Sequence, residues 1–235
     1  MLKFSFLKLF FIYCQGKSGS SIVRWKRCHF THREKDGKYL LMDVSCAILA
    51  GGKSTRIGED KATLEINGEP LIHRICTIAR RIFNNVVIVS KQHSNINRIG
   101  VPVIYDTIPI QGSLAGIVSA LLYSHTTYVF VLACDMPNVS EKALFSMVEE
   151  ADGADIIVPH TESGYEPLHA LYNRSCISPM LTLLSRHIFR ISALFPYLVV
   201  KELQQKPYFF HNGLSIFMNV NTREDVACAQ RLGLR

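Results

Sequence analysis

The sequence predicts an α/β fold: a three-layer sandwich around a mostly parallel central sheet, in a single domain. Three observations carry this. From Met42 onward, short β-branched runs alternate with stretches of helical periodicity. The first run, residues 44–50 (VSCAILA), is apolar throughout and stops at two glycines, as a strand buried on both faces does. No internal repeat or low-complexity linker interrupts the remainder.

The elements follow in order. Residues 65–72 (EINGEPLI) contain Asn67-Gly68, a tight-turn pair. Residues 70–83 (PLIHRICTIARRIF) set Leu71, Ile75, Ile78 and Ile82 on one helical face, with Pro70 at a permitted start. Residues 85–90 (NVVIVS) predict a second strand and residues 101–106 (VPVIYD) a third. A helix opened by glycine and serine covers 112–124, and a buried strand covers 128–135 (YVFVLACD). Residues 140–151 read as a helix capped by Ser140, and 154–159 (ADIIVP) as a fifth strand. Between 160 and 206 the pattern predicts a helix over 175–189 and a strand over 196–203 but does not order the elements. A final helix capped by Thr222 stops at Gly233.

The chain has 235 residues, long enough for one full-sized domain. It is 48% apolar and 19% charged, a globular composition, and no run of about 18 apolar residues predicts a membrane-spanning helix. The net charge of +7 is local. Residues 1–41 hold nine of the 26 Lys/Arg and two of the 19 Asp/Glu, so residues 42–235 carry 17 of each. A neutral body lacks the field that a nucleic-acid backbone requires. Residues 1–41 read as a basic N-terminal extension, either spurious or disordered, and residues 42–235 as the working domain. A signal peptide is an alternative for the extension, but Lys8 breaks its apolar stretch and no small-x-small site follows. A basic surface helix or an organelle presequence is another alternative. Seven scattered cysteines without a C-x-x-C pair exclude a zinc pattern and predict free thiols in a reducing, cytoplasmic setting, with Cys46 and Cys134 as small buried hydrophobes.

The segment with most chemistry is residues 48–61, ILAGGKSTRIGEDK. In such sheets ligands sit at the carboxyl ends of strands. Gly51 and Gly52 lack Cβ atoms, so backbone N–H groups can approach a phosphate closely. Lys53, Ser54 and Arg56 add donors and positive charge, and Lys61 is near enough to fold over the same anion. The spacing is neither G-x-x-x-x-G-K-[ST] nor G-x-G-x-x-G. The alternative is a glycine-rich turn with solvated charges. Asp135 ends the strand 128–135 and is the candidate magnesium ligand, with helix capping as its alternative. Asp106 ends the third strand, with a turn role as its alternative.

The stretch LAGGKSTRIGEDK resembles the signature of nucleotidyltransferases that bind a nucleoside triphosphate on a Rossmann-like sheet. Among these it is most similar to the molybdenum cofactor guanylyltransferase family. Further matches follow in order as VIYDTIPIQGSLAGIVSAL, VLACDMPNVS, EPLHALY and NVNTREDV, covering nearly all of residues 44–232. The resemblance implies transfer of GMP from GTP to the phosphate of molybdopterin, with release of pyrophosphate and Mg2+ as cofactor. It implies that Asp135 binds magnesium and contacts GTP, and that Asp106 contacts base or ribose. A carboxylate suits guanine, whose N1–H and N2–H₂ are donors. Leu49, Ala50 and Gly51 would touch the nucleotide through backbone groups, while Arg56 and Lys61 neutralise its β and γ phosphates. Gly112 and Gly116 would bring a helix start close to the ligand. Asn219 and Asn221 would complete the metal or phosphate site, or serve as turn and cap residues. Glu166 and His169 would line the acceptor side, with a packed strand position as the alternative for His169.

Two positions depart from the family. Ser113 stands where proline is usual, and Lys91 where an asparagine often helps hold the nucleotide. The second departure leaves cytidylyl transfer to the same acceptor, or transfer to a sugar phosphate or isoprenoid precursor, as competing readings. A nucleotide-binding adaptor without chemistry is a third. Lys61, Asp106 and Asp135 together argue against it. Expected partners are the two substrates and, transiently, the molybdoenzymes that receive the product.

Overall fold

The computed structural model describes residues 31–33, 39–41, 43–50, 64–90, 99–105, 108, 112–151, 153–232 and 234. The apolar runs become strands β1 (Val44–Leu49), β2 (Val86–Ser90), β3 (Val103–Tyr105), β4 (Tyr128–Ala133), β5 (Ile156–Thr161), β6 (Gly164–Tyr165), β7 (His169–Asn173) and β8 (Val200–Gln204). Five helices pack among them: α1 (Leu71–Ile82), α2 (Ser113–Tyr123), α3 (Glu141–Glu149), α4 (Ile177–Ser185) and α5 (Arg223–Arg231). The strands lie in the order β3-β2-β1-β4-β7-β5, with β8 beside β5 and β6 folded back on β5 as a hairpin.

β1 runs parallel to β2 and β4, β2 to β3, and β5 to β8. β7 runs antiparallel to both β4 and β5. Strands β1 to β5 and β8 therefore all end at one edge of the sheet, where β7 begins.

β1 explains the layering. All six of its residues are buried, and successive side chains face opposite ways. Cys46 and Ile48 join Ile72, Ile75 and Ala79 of α1 and Leu144 and Met147 of α3. Ala47 and Leu49 join Leu114, Ile117 and Leu121 of α2 and Met180 and Leu184 of α4. Each fully buried Leu, Ile or Val contributes roughly 1.5–3 kcal/mol relative to exposure, so these two clusters hold the layers together. A third cluster joins Leu64, Ile66 and Leu71 to Val220, Ala229 and Leu234, and returns the C-terminal helix to the start of α1. Gln230 Nε2 donates to Asn67 Oδ1 at 2.9 Å across the same seam.

Several local expectations hold. Asn67 and Gly68 both have positive φ (54° and 79°) and turn the Glu65–Ile66 strand into Glu69–Pro70, as a two-residue hairpin of this type requires. Thr222 caps α5 in a reciprocal capping box with Asp225. Ser113 occupies the first residue of α2, a position where proline and serine are both tolerated because no helical N–H partner is needed.

Others are corrected. Ser140 takes the N-cap position of α3, but its side chain makes no capping hydrogen bond. The helix expected over 175–189 is α4, shortened because residues Arg174–Cys176 form a 3-10 turn and His187 adopts left-handed backbone (φ 57°). The strand expected over 196–203 starts only at Val200. Residues Ile191–Tyr197 form 3-10 turns around Pro196, which has no N–H for a sheet ladder. β7, which the sequence offers only as the alternative strand position of His169, makes the sheet mixed. Upstream of Met42, Thr31–Arg33 pairs antiparallel with Tyr39–Leu41. Among the described residues, no helix is long and apolar enough to cross a membrane.

Candidate active site

The carboxyl edge of the sheet carries the candidates that lie among the described residues, Leu49, Ala50, Asp135, Asn219 and Asn221. Leu49 and Ala50 end β1 and are buried. The Cys134 N–H donates to the Leu49 carbonyl (3.2 Å), and the Ala50 N–H donates to the Val89 carbonyl (2.9 Å). Two backbone groups of this pair are therefore committed to holding β1, β2 and β4 in line.

Asp135 follows β4 at this edge and is half-buried. The N-cap of α3 is Ser140, so Asp135 does not cap that helix. The Asp135 carbonyl accepts the Val220 N–H at 2.7 Å, which brings residues 217–221 alongside the end of β4. Asn219 is exposed there and Asn221 half-buried. The Asn221 N–H donates to the Asp225 carboxylate at 2.9 Å, so this residue also takes part in capping α5.

Gly51, Gly52, Lys53, Ser54, Arg56, Lys61, Lys91 and Asp106 lie outside the described residues. The strand ends Leu49, Ser90 and Tyr105, which precede these segments, share the edge with Asp135.

Gly116 is buried in α2, where a Cβ would meet Leu49 Cδ2 at 3.4 Å and Val89 Cγ1 at 3.9 Å. Its smallness seats the helix on the sheet against Leu49 and Val89. Gly112, at the N-cap of α2, has φ 137°, which side-chain-bearing residues rarely adopt.

Beyond Asp135 the edge continues over β7 and β5. The Ala133 N–H donates to the Leu168 carbonyl (2.9 Å), the Glu166 N–H to the Pro159 carbonyl (3.0 Å), and the His169 N–H to the Glu166 carbonyl (3.0 Å). These bonds pin the loop carrying Glu166 between the ends of β4 and β5. His169 is fully buried, edge-on to Phe130 (5.5 Å between ring centres) and to Phe217 (5.3 Å). Neither ring nitrogen has a hydrogen-bond partner, and burial holds its pKa down at about 3. The packed alternative holds for His169, and the imidazole is neutral.

Glu166 borders a cavity of about 400 Å³ walled by Phe209, Phe210, Phe217 and Met218. Burial pushes its carboxyl up to about 7. Asn138 is fully buried and supports this wall. Its side-chain amide donates to the carbonyls of His211 (3.2 Å), Leu214 (3.0 Å) and Ser215 (3.2 Å). The sequence reading missed the aromatic wall and Asn138. Their signal is tertiary, because four separate segments converge there.

The sheet has Rossmann-like architecture with an aspartate just past the end of a central strand, and the family it matches makes the chain a nucleotidyltransferase. The chain belongs to the MobA-like NTP transferase domain family, whose profile matches residues 46–195. It is 31% identical over 191 residues to a protein of Pelotomaculum thermopropionicum named probable molybdenum cofactor guanylyltransferase, covering 81% of this chain and 93% of that one. A protein of the same name from Natranaerobius thermophilus is 33% identical over 196 residues, covering 80% and 96%. The crystal structure of molybdopterin-guanine dinucleotide biosynthesis protein A from Archaeoglobus fulgidus superposes with a TM-score of 0.68 at 28% identity, over 80% of this chain and 97% of that one.

Proposed function

We propose that this protein transfers GMP from GTP to the phosphate of molybdopterin, forming the guanine dinucleotide cofactor and releasing pyrophosphate. The observation that carries the reading is the position of Asp135 at the carboxyl end of β4, inside a stretch similar to guanylyltransferases over four-fifths of the chain. In the reaction a phosphate oxygen of the acceptor bonds to the α-phosphorus of GTP, and the bond from that phosphorus to the bridging oxygen breaks. The protein's task is to hold both substrates in line and to neutralise charge.

GTP lies over the ends of β1 to β4 in this reading. Backbone groups of Leu49, Ala50, Gly51 and Gly52 cradle it, Arg56 and Lys61 face its β and γ phosphates, and Asp106 and Lys91 meet its nucleoside. Magnesium fits the donor set. Among the described residues no cluster of three or more His, Cys, Asp or Glu is present, and the edge offers the Asp135 carboxylate with the side-chain oxygens of Asn219 and Asn221. Magnesium takes one or two carboxylates and completes its shell with phosphate oxygens and water. Bound there, it would neutralise triphosphate charge. The buried free thiols Cys46, Cys76, Cys134 and Cys176 suit a reducing cytoplasm, and hand-over to molybdoenzymes would be transient.

The base preference is the part of the reading that Lys91, in place of the family's asparagine, leaves to be tested against cytidylyl transfer to the same acceptor. Incubation with molybdopterin, magnesium and each labelled nucleoside triphosphate separates the two. GTP is expected to be consumed. Consumption of CTP with GTP left intact would overturn the guanylyl reading.

A further inference from the structure

We propose that Glu166 reads the acceptor: its carboxylate accepts paired N–H donors from the edge of a planar heterocycle lying against Phe217 and Met218. The inference rests on the transferase reading above and names the residue that selects the second substrate.

Position is the first argument. The cavity wall runs without interruption into the candidate active site. Val220 is bonded to Asp135, and Met218 lies two residues earlier. At roughly 3.3 Å per extended residue, Met218 is within about 7 Å of that bond along the chain. A ring held in the cavity thus lies a short arm's length from the edge where the phosphates meet.

Shape is the second. Phe210 and Met218 present flat and adaptable apolar surface to the cavity, with the nearly buried Phe217 beside them and Phe209 packed behind, a wall that suits a fused ring. Phe217 is itself braced by the His169 ring and by Phe209, whose ring centre is 5.0 Å away. This wall is organised before any ligand arrives.

Chemistry is the third. No described residue bonds or pairs with the Glu166 carboxyl. A half-buried carboxylate facing an apolar wall costs free energy unless a ligand supplies donors, although Thr161, Ser163, Gln205 and Ser215 also border the cavity. A pterin carries an amino group beside a ring N–H, and one ionised carboxylate accepts from both. Glu162 is the other titratable group lining the cavity among the described residues. Nearby on β5, β6 and β8, His160 and Tyr165 are engaged with Glu202, and His169 beneath is neutral. Glu166 is therefore the group placed to meet the ring, and it does so when ionised.

The test measures pyrophosphate release by the full chain at saturating GTP and magnesium, with molybdopterin varied between pH 6 and 7.5. Glu166→Ala and Glu166→Gln are each expected to raise the acceptor KM at least tenfold and leave the GTP KM unchanged. The native acceptor KM is expected to rise as pH falls below about 7, a dependence lost in Glu166→Gln. An acceptor KM unmoved in both variants, with the native protein active, would overturn the inference while leaving the transferase reading intact. A fluorescence titration with 6-hydroxymethylpterin provides an independent arm. Binding that Glu166→Ala abolishes supports the inference even where turnover is absent. Failure of the native protein to bind this pterin, together with no turnover, would overturn both.

Discussion

Asp135 and Glu166 carry the same functional group at the same edge, and their different surroundings are the ground for the different roles proposed for them. Asp135 is fixed through its main chain, since its carbonyl holds Val220, so its side chain can change without loss of that bond. Asp135→Ala is expected to reduce pyrophosphate release on the order of 100-fold or more, with the thermal midpoint moved by no more than a few degrees. Turnover equal to native would refute the metal role. His169 makes the complementary case of a titratable group used only for packing. Its pKa is about 3 in the folded protein and near 6.5 when unfolded. Above about pH 6.5 both states are neutral and no penalty exists. As pH falls from there toward 3 the unfolded state takes up the proton first, so folded stability declines by up to about 1.4 kcal/mol per pH unit. His169→Phe is expected to flatten that acid limb in urea melts and to retain turnover. An unchanged slope would show that the imidazole is not buried neutral.

At the scale of elements, Asn138 ties two parts of the chain that are far apart in sequence. It follows β4, and its amide hydrogens serve three carbonyls of the Phe210–His211 and Leu214–Ser215 hairpin. That hairpin leads directly into Phe217 and Met218. Asn138→Ala leaves those carbonyls short of donors at a cost of about 2 kcal/mol. The variant is expected to show that loss in denaturant unfolding and a raised KM for acceptor, with that for GTP little changed. Equal effects on both substrates would mean that the hairpin supports the whole edge and not the acceptor half.

For the whole molecule, the proposed function separates duties along one edge: it puts the donor nucleotide over β1 to β4 and the acceptor over β7 and β5. A chain starting at Met42 contains all of both halves. It is expected to fold with an unchanged thermal midpoint and native turnover. Loss of either would show that residues 1–41, where Tyr39–Leu41 pairs with Thr31–Arg33, belong to the working domain.

Strands β1, β2, β4 and β5 and helices α1 to α3 were legible in the sequence because their signals are local. A buried strand is a continuous apolar run, and a surface helix repeats every three to four residues, whatever else the chain does. The turn at Asn67-Gly68 and the cap at Thr222 were legible for the same reason, since each is decided by a few adjacent residues. The glycine-rich stretch and the strand-terminal Asp135 are local patterns of the same kind, and from them the sequence raises the expectation of phosphate chemistry. Only the tertiary structure decided where β7 goes, because its five residues are stabilised by partners in β4 and β5 and not by their own pattern. It alone showed that Gly116 seats a helix on Leu49 and that His169 is packing. It alone brought Phe209, Phe217 and Met218 to Glu166. Burial and cavity shape are sums over distant segments, and no local stretch of sequence contains them.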